Sequence, residues 1–165
     1  MKKKITLSIF SVCMVLITFF SCTKEVAKLQ GPTDAQMFAW CTQSIDRFYY
    51  QNDSTNQITP APAQGGFHGP YKLRFNAKVK NALGGDGRLA AGNVLPDSSV
   101  IVKVSYTGST VTAYSIIFKL NQAWTWAQFD AAGAVWQSVG VSPSQCTGCH
   151  DGTGNRDKTL TFTYH

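Results

Sequence analysis

The chain lacks several things, and each absence narrows the field. No cluster of lysine and arginine stands out, so nothing marks a nucleic-acid surface. Internal repeats and low-complexity tracts are missing, which excludes solenoids and fibrous arrays. Cysteine is sparse and unpaired by pattern. Of the five, Cys13 falls in an apolar leader and Cys22 at its end, and Cys41 stands alone. A disulfide framework is therefore not indicated, and Cys41 reads as a small buried hydrophobe. The only apolar run, Ile5 to Phe20, is too short and too abruptly ended to be a membrane span. Acids are missing from Ala131 to Gln145, and methionine is missing after position 37.

What is present begins with that leader. Lys2, Lys3 and Lys4 precede the apolar run, the pattern of a secretory signal over residues 1–21. Phe20-Ser21-Cys22 resembles a bacterial lipobox, which predicts lipidation of Cys22 and anchoring to a membrane without spanning it. The competing reading is ordinary secretion with Cys22 a spare thiol. Thr23 rather than Asp after the cysteine leans toward the outer membrane, on its periplasmic side. Removing the leader leaves about 144 residues, one domain's worth. Three lysines and no acid leave with it, so the formal charge falls from +6 to +3.

Near the other end lies Cys146-Thr147-Gly148-Cys149-His150, the Cys-Xaa-Xaa-Cys-His attachment pattern for c-type haem. Two thiols on one short helical turn can both form thioethers to the haem vinyl groups. The adjacent His150 then supplies an axial imidazole to the iron. One covalent haem per chain is expected. A thioredoxin-like pair would want a βαβ context, which is not evident. A zinc knuckle would want a second Cys/His pair at ligand spacing, which Cys41, His68 and His165 do not supply. Chance remains the third competitor for so short a pattern.

Residues 22–33 read as a tether and 34–165 as the domain. Thr33 or Asp34 can cap a helix in which Met37, Cys41, Ile45 and Phe48 recur at helical spacing. Gln51 to Pro70 is a long loop carrying His68. From Tyr71 to Val79 apolar residues alternate with polar ones, predicting a strand. A glycine-rich turn region, Ala82 to Ser98, follows. Further strands are predicted over Val100–Tyr106, Val111–Leu120, Trp124–Phe129, Ala134–Val139 and Thr159–Tyr164, with Asp130 to Gly133 joining the fourth pair. The expected fold class is mainly β: an antiparallel sheet with one N-terminal helix packed on it and a short C-terminal haem-attachment helix.

Helical cytochromes of the ordinary electron-carrying type place the motif near the N-terminus and a methionine ligand after it. Here the motif is late and only Asp151 to His165 follows. Met37, His68 and the terminal His165 are the side chains considered for the iron's sixth position. Met37 reads more naturally as core and His68 as solvated. An iron without a sixth protein ligand favours binding or reaction of a small molecule.

At this point the chain resembles the cytochrome P-460 and cytochrome c′-β family over roughly Gly69 to Phe162. Leu95-Pro96-Asp97-Ser98-Ser99-Val100-Ile101-Val102-Lys103 resembles a strand of that family. Leu73-Arg74-Phe75 resembles its arginine-bearing strand, and Cys146 to His150 with Asp157 and Phe162 its haem segment. The resemblance implies an antiparallel β fold with c-type haem and an open iron. It implies that Lys103 is the lysine which, in cytochrome P-460, is bonded to the porphyrin and serves oxidation of hydroxylamine. It makes Arg74 a distal-side group. Without the resemblance, Lys103 would read as a strand lysine facing solvent. In cytochrome c′-β the oxidation is missing and nitric oxide is bound. This chain departs from the pattern at the catalytic carboxylate, where Val141 or a neighbour stands. Candidate partners are a small-molecule ligand or substrate, a redox partner protein, a second copy of the chain, and the membrane through the lipid. The alternatives to a P-460-type protein are an electron-transfer cytochrome with six-coordinate haem and a lipoprotein without haem.

Overall fold

The structure is a computed structural model that describes residues 31–43, 48–50, 69–152 and 156–159. The leader, the lipidation position Cys22, His68, His165 and the strand expected beyond Thr159 lie outside the described residues. Among those described, no helix is long and apolar enough to cross a membrane.

The fold is mainly β, as expected. Helix α1 (Asp34–Thr42) precedes strands β1 (Phe48–Tyr50) and β2 (Tyr71–Asn76). Helix α2 (Ala77–Ala82) follows, then strands β3 (Val100–Thr107), β4 (Thr110–Leu120), β5 (Ala123–Asp130) and β6 (Val135–Val141), and helix α3 (Ser144–His150). The strands form one antiparallel sheet in chain order, each paired with its sequence neighbour.

Both faces of this sheet are covered, which explains why its strands carry apolar residues on both sides. On one side, here the front, Tyr71, Leu73, Phe75, Ile101, Ile117, Trp124 and Trp126 join Val79 from α2 and Leu89 and Leu95 from the loop after it. On the back, Val100, Val102, Val104, Ile116 and Phe129 pack against Met37 and Cys41 of α1. Successive side chains of a strand point to opposite faces, so β3 sends Val102 backward and Lys103 forward.

Helix α1 is fixed at both ends. Thr33 caps it through a capping box with Gln36. At the other end, Arg74 donates to the carbonyls of Cys41 and, at 3.1 Å, Gln43. The helix therefore stops at Thr42, short of Ile45, and Phe48 belongs to β1. The Phe38 ring seats α1 on the sheet, 5.4 Å from Phe129 and 6.0 Å from Tyr114. It also lies against Gly133, where φ is +95° and an added Cβ would meet the ring at 2.7 Å. Only glycine fits that turn. Asp130 builds the turn by accepting from the Ala132 and Ala134 amides, both at 2.8 Å.

The strand expected to reach Val79 ends three residues earlier. Asn76 accepts from the Val79 amide at 3.3 Å and donates to the Ser98 carbonyl at 2.8 Å. This side chain caps α2 and turns the chain over the front face. Val79 is buried either way, and a short run of alternating residues does not separate the two outcomes.

Candidate functional site

The site grows from α3. After β6 the chain turns through Ser142, with φ of +46°, whose amide reaches the Trp124 carbonyl at 3.1 Å. Pro143 starts the helix, and its carbonyl accepts from the Cys146 and Thr147 amides at 2.9 and 3.0 Å. Cys146 and His150 are four residues apart and share one helix face. Cys146 packs against the front core cluster. Cys149 is exposed. Neither thiol is in a disulfide. Burial holds the Cys146 thiol above its ordinary range, with Cys149 adding a smaller push.

His150 is half-buried and doubly oriented. Its ring stands edge-on to the indole of Trp126, centroids 4.6 Å apart at 78°. Its Nδ1 lies 2.7 Å from the Lys158 carbonyl oxygen. A carbonyl oxygen only accepts, so Nδ1 carries the proton and donates. Burial depresses the imidazole's proton affinity, opposed by that backbone bond and reinforced by the positive charge of Lys103. The neutral ring therefore has its lone pair at Nε2, the form in which a histidine binds a metal.

Lys103 shares the front face with His150. It pairs across the sheet with Leu73 on one side and Ser115 on the other, and Ser115 in turn with Gln128. Its Nζ sits 4.0 Å from the centroid of the Tyr71 ring. Burial pushes its ammonium down to about 8. The solvent-facing alternative for Lys103 is thus not what is observed.

Arg74 stands apart from these residues. It neighbours Val102 on the back face and binds the carbonyl end of α1. The sheet separates it from His150 and Lys103, so the structure does not bring it together with them. Met37 is likewise at the back, fully buried beneath α1. Among the described residues, neither Val141 nor Asp130 supplies the carboxylate missing before the motif. Val141 is 67 % exposed, and Asp130 is engaged in its turn.

Three residues carry weight that the sequence reading gave them little or none of. Lys119 is fully buried and bonded to Asp157 at 2.7 Å. Period two aligns it with Ser115 and Ile117 on the core side of β4, and a lysine in such a position is a signal of a buried partner. The family resemblance marks Asp157, and the alternation of its neighbours places Trp126 in a strand.

The residues fit a covalently held haem on three counts. Two unpaired thiols and a metal-ready imidazole lie on one helix. A buried polar atom beside them, Trp126 Nε1, has no hydrogen-bond partner among the described residues. Apolar side chains of the front cluster pack beside them, with the Lys103 amine on the same face. Among the described residues no group of three or more His, Cys, Asp or Glu gathers to hold a bare metal ion. Comparison of the chain with profiles of known families, with curated proteins and with solved structures finds no match.

Proposed function

We propose that the chain is a c-type haem protein, with Cys146 and Cys149 as thioether anchors and His150 as proximal ligand. The observation that carries this reading is the neutral, Nδ1-anchored His150 on the same helical turn as two free thiols. Haem, when bound, supplies a redox-active iron with a coordination position for a small ligand. The chain's part is to hold that group against an apolar face. His150 keeps its proton at Nδ1 on the Lys158 carbonyl and directs Nε2 outward. Trp126 and the cluster around it exclude water. Lys103 brings an amine, half-buried and poised near neutrality, to the same face. In this reading the protein is lipid-anchored through Cys22 on the periplasmic side of a bacterial membrane.

Binding of a small nitrogen species such as nitric oxide fits better than oxidation of hydroxylamine. Oxidation needs a carboxylate to accept the substrate's proton, and among the described residues near His150, Asp157 pairs with Lys119 and Asp151 with Lys158. The electron-transfer alternative loses one of its ligands, since Met37 is held in the back core.

The test is an absorption spectrum of the mature protein made in cells that attach c-type haem, oxidised and then reduced, with the mass of the denatured chain. Haem retained after denaturation, and halved attachment chemistry in Cys146→Ser, support the reading. A colourless wild type overturns it. A strongly red-shifted ferrous Soret band would assign a bond between Lys103 and the macrocycle. An ordinary high-spin c-type spectrum would leave Lys103 as a neighbouring amine.

A further inference from the structure

The anchor that orients His150 does not hold itself. The Lys158 carbonyl sits in a segment whose φ values are +51° at Asp157 and +60° at Lys158, two consecutive left-handed residues that are not glycine. Such backbone persists only where surrounding contacts over-determine it. Here the contacts converge on Asp157. Its Oδ2 accepts from Lys119 Nζ at 2.7 Å and from the Leu95 amide at 2.8 Å. Its carbonyl accepts from Trp124 Nε1 at 2.8 Å. One residue earlier, Arg156 Nε donates to the Leu89 carbonyl at 3.1 Å. One residue later is the carbonyl that accepts the hydrogen bond from His150 Nδ1.

Lys119 is an odd choice for a fully buried position. Desolvating a lysine and an aspartate costs free energy that an apolar pair would not, so a buried pair is weak support for stability as such. What the pair does provide is position. Lys119 lies on β4, across the sheet from Trp124 of β5, and its ammonium is 5.5 Å from that indole centroid. The lysine and the indole thus come from the rigid sheet and clamp one residue of an otherwise irregular segment at two points.

We infer that Asp157, clamped by Lys119 and Trp124, is the positioning residue for His150, fixing the Lys158 carbonyl so that the imidazole keeps its proton at Nδ1 and presents Nε2. This rests on the proposed role of His150 as a metal ligand, but the geometry it claims exists in the chain itself. Groups one shell out from a ligand set its tautomer and orientation. Neither residue touches the reacting atoms.

The test uses the full mature chain in two forms. Made without haem attachment, its His150 tautomer is read from imidazole nitrogen chemical shifts. Made with haem, the ferrous iron–histidine stretch is read by resonance Raman. In Asp157→Asn we expect the ratio of Nδ1–H to Nε2–H tautomer to fall, because outer partners fix a ligand's tautomer. The stretch should move to lower frequency. Lys119→Met/Asp157→Asn leaves no uncompensated charge in the core and should shift both readouts the same way while the fold survives. Phe129→Leu in the back core is the control, lowering stability and leaving both unchanged. Unchanged readouts in the two Asp157 variants overturn the inference, as does an equal shift in Phe129→Leu. A wild type that takes up no covalent haem overturns the proposed function, and the tautomer measurement then still decides the role of Asp157.

Discussion

Lys103 and His150 occupy the same face of the sheet, and the lysine's charge makes the imidazole harder to protonate. Burial is the sole cause of the lysine's own shift, from an ordinary 10.5 down to about 8. No acid offsets it. The arrangement therefore carries a stability penalty that depends on pH. Below about pH 8 both folded and unfolded chains hold the proton, and the folded state bears the full cost of a charge on an apolar face. Between about 8 and 10.5 the unfolded chain binds more protons than the folded one, so stability rises with pH from this group. Lys103→Met should then raise the urea midpoint most at pH 6.5. The gain should shrink at pH 9 and be nearly gone at pH 10.5. An equal gain at all three would mean that Lys103 is not desolvated.

Arg74 tests the division between the two faces. It is 6 % exposed and supplies the carbonyl end of α1 with two charge-assisted hydrogen bonds. Removing such a donor leaves buried acceptors unmet, at about 1.5–3 kcal/mol for a hydrogen bond involving a charged group. Arg74→Ala should lower stability by about that much in urea denaturation. It should leave the absorption spectrum of any bound haem as it was. A changed spectrum with unchanged stability would return Arg74 to the distal role that the family resemblance implied.

That outcome bears on how much of the molecule was legible beforehand. The β class, the helix at Asp34, the turn at Asp130–Gly133 and the short helix at Cys146–His150 could all be read, because each rests on local pattern or capping chemistry. The extent of α1 could not. Its stop at Thr42 is set by Arg74, which lies more than thirty residues away in the sequence. The change from strand to helix at Asn76 depends on the Ser98 carbonyl, again a distant partner. At the site, Cys146, Cys149 and His150 were visible from their spacing. Arg74 and Lys103 sit on neighbouring, opposed positions of paired strands. Alternation alone would have set Lys103 against Val102, but not decided which face carries α3. Lys119 and Asp157 meet across 38 residues, a separation no local pattern spans.

Trp126 lines the site while donating to nothing among the described residues. Its Nε1 is buried and lacks a partner among the described residues. Its ring is 5 % exposed and packs in the front cluster beside His150. The two properties separate by substitution. Trp126→Phe keeps an aromatic wall and removes an unsatisfied donor, so it should cost under about 1.5 kcal/mol. Trp126→Ala opens a cavity and should cost about 3–5 kcal/mol. Urea denaturation of the two variants checks the contrast. A large loss in Trp126→Phe would mean that the indole nitrogen does have a partner in the folded protein.

The cysteines offer a reading of both faces at once, because thiol reactivity follows exposure and thiolate character. Cys41 is fully enclosed beneath α1, and burial pushes its thiol up to about 12 despite the nearby Arg74 charge. Cys149 is exposed, and Cys146 lies half-buried against the front core with its thiol raised. A maleimide pulse followed by peptide mapping should therefore rank them in chain without haem. Cys149 should label first, Cys146 several-fold more slowly, and Cys41 only when denaturant unfolds the sheet. In protein carrying covalent haem, Cys146 and Cys149 should stay unlabelled even after unfolding, because their sulfurs are then thioethers. Cys41 alone should become reactive. Early labelling of Cys41 would place α1 off the back face, and labelling of both motif cysteines in coloured, unfolded protein would show that whatever colours it is not attached through them.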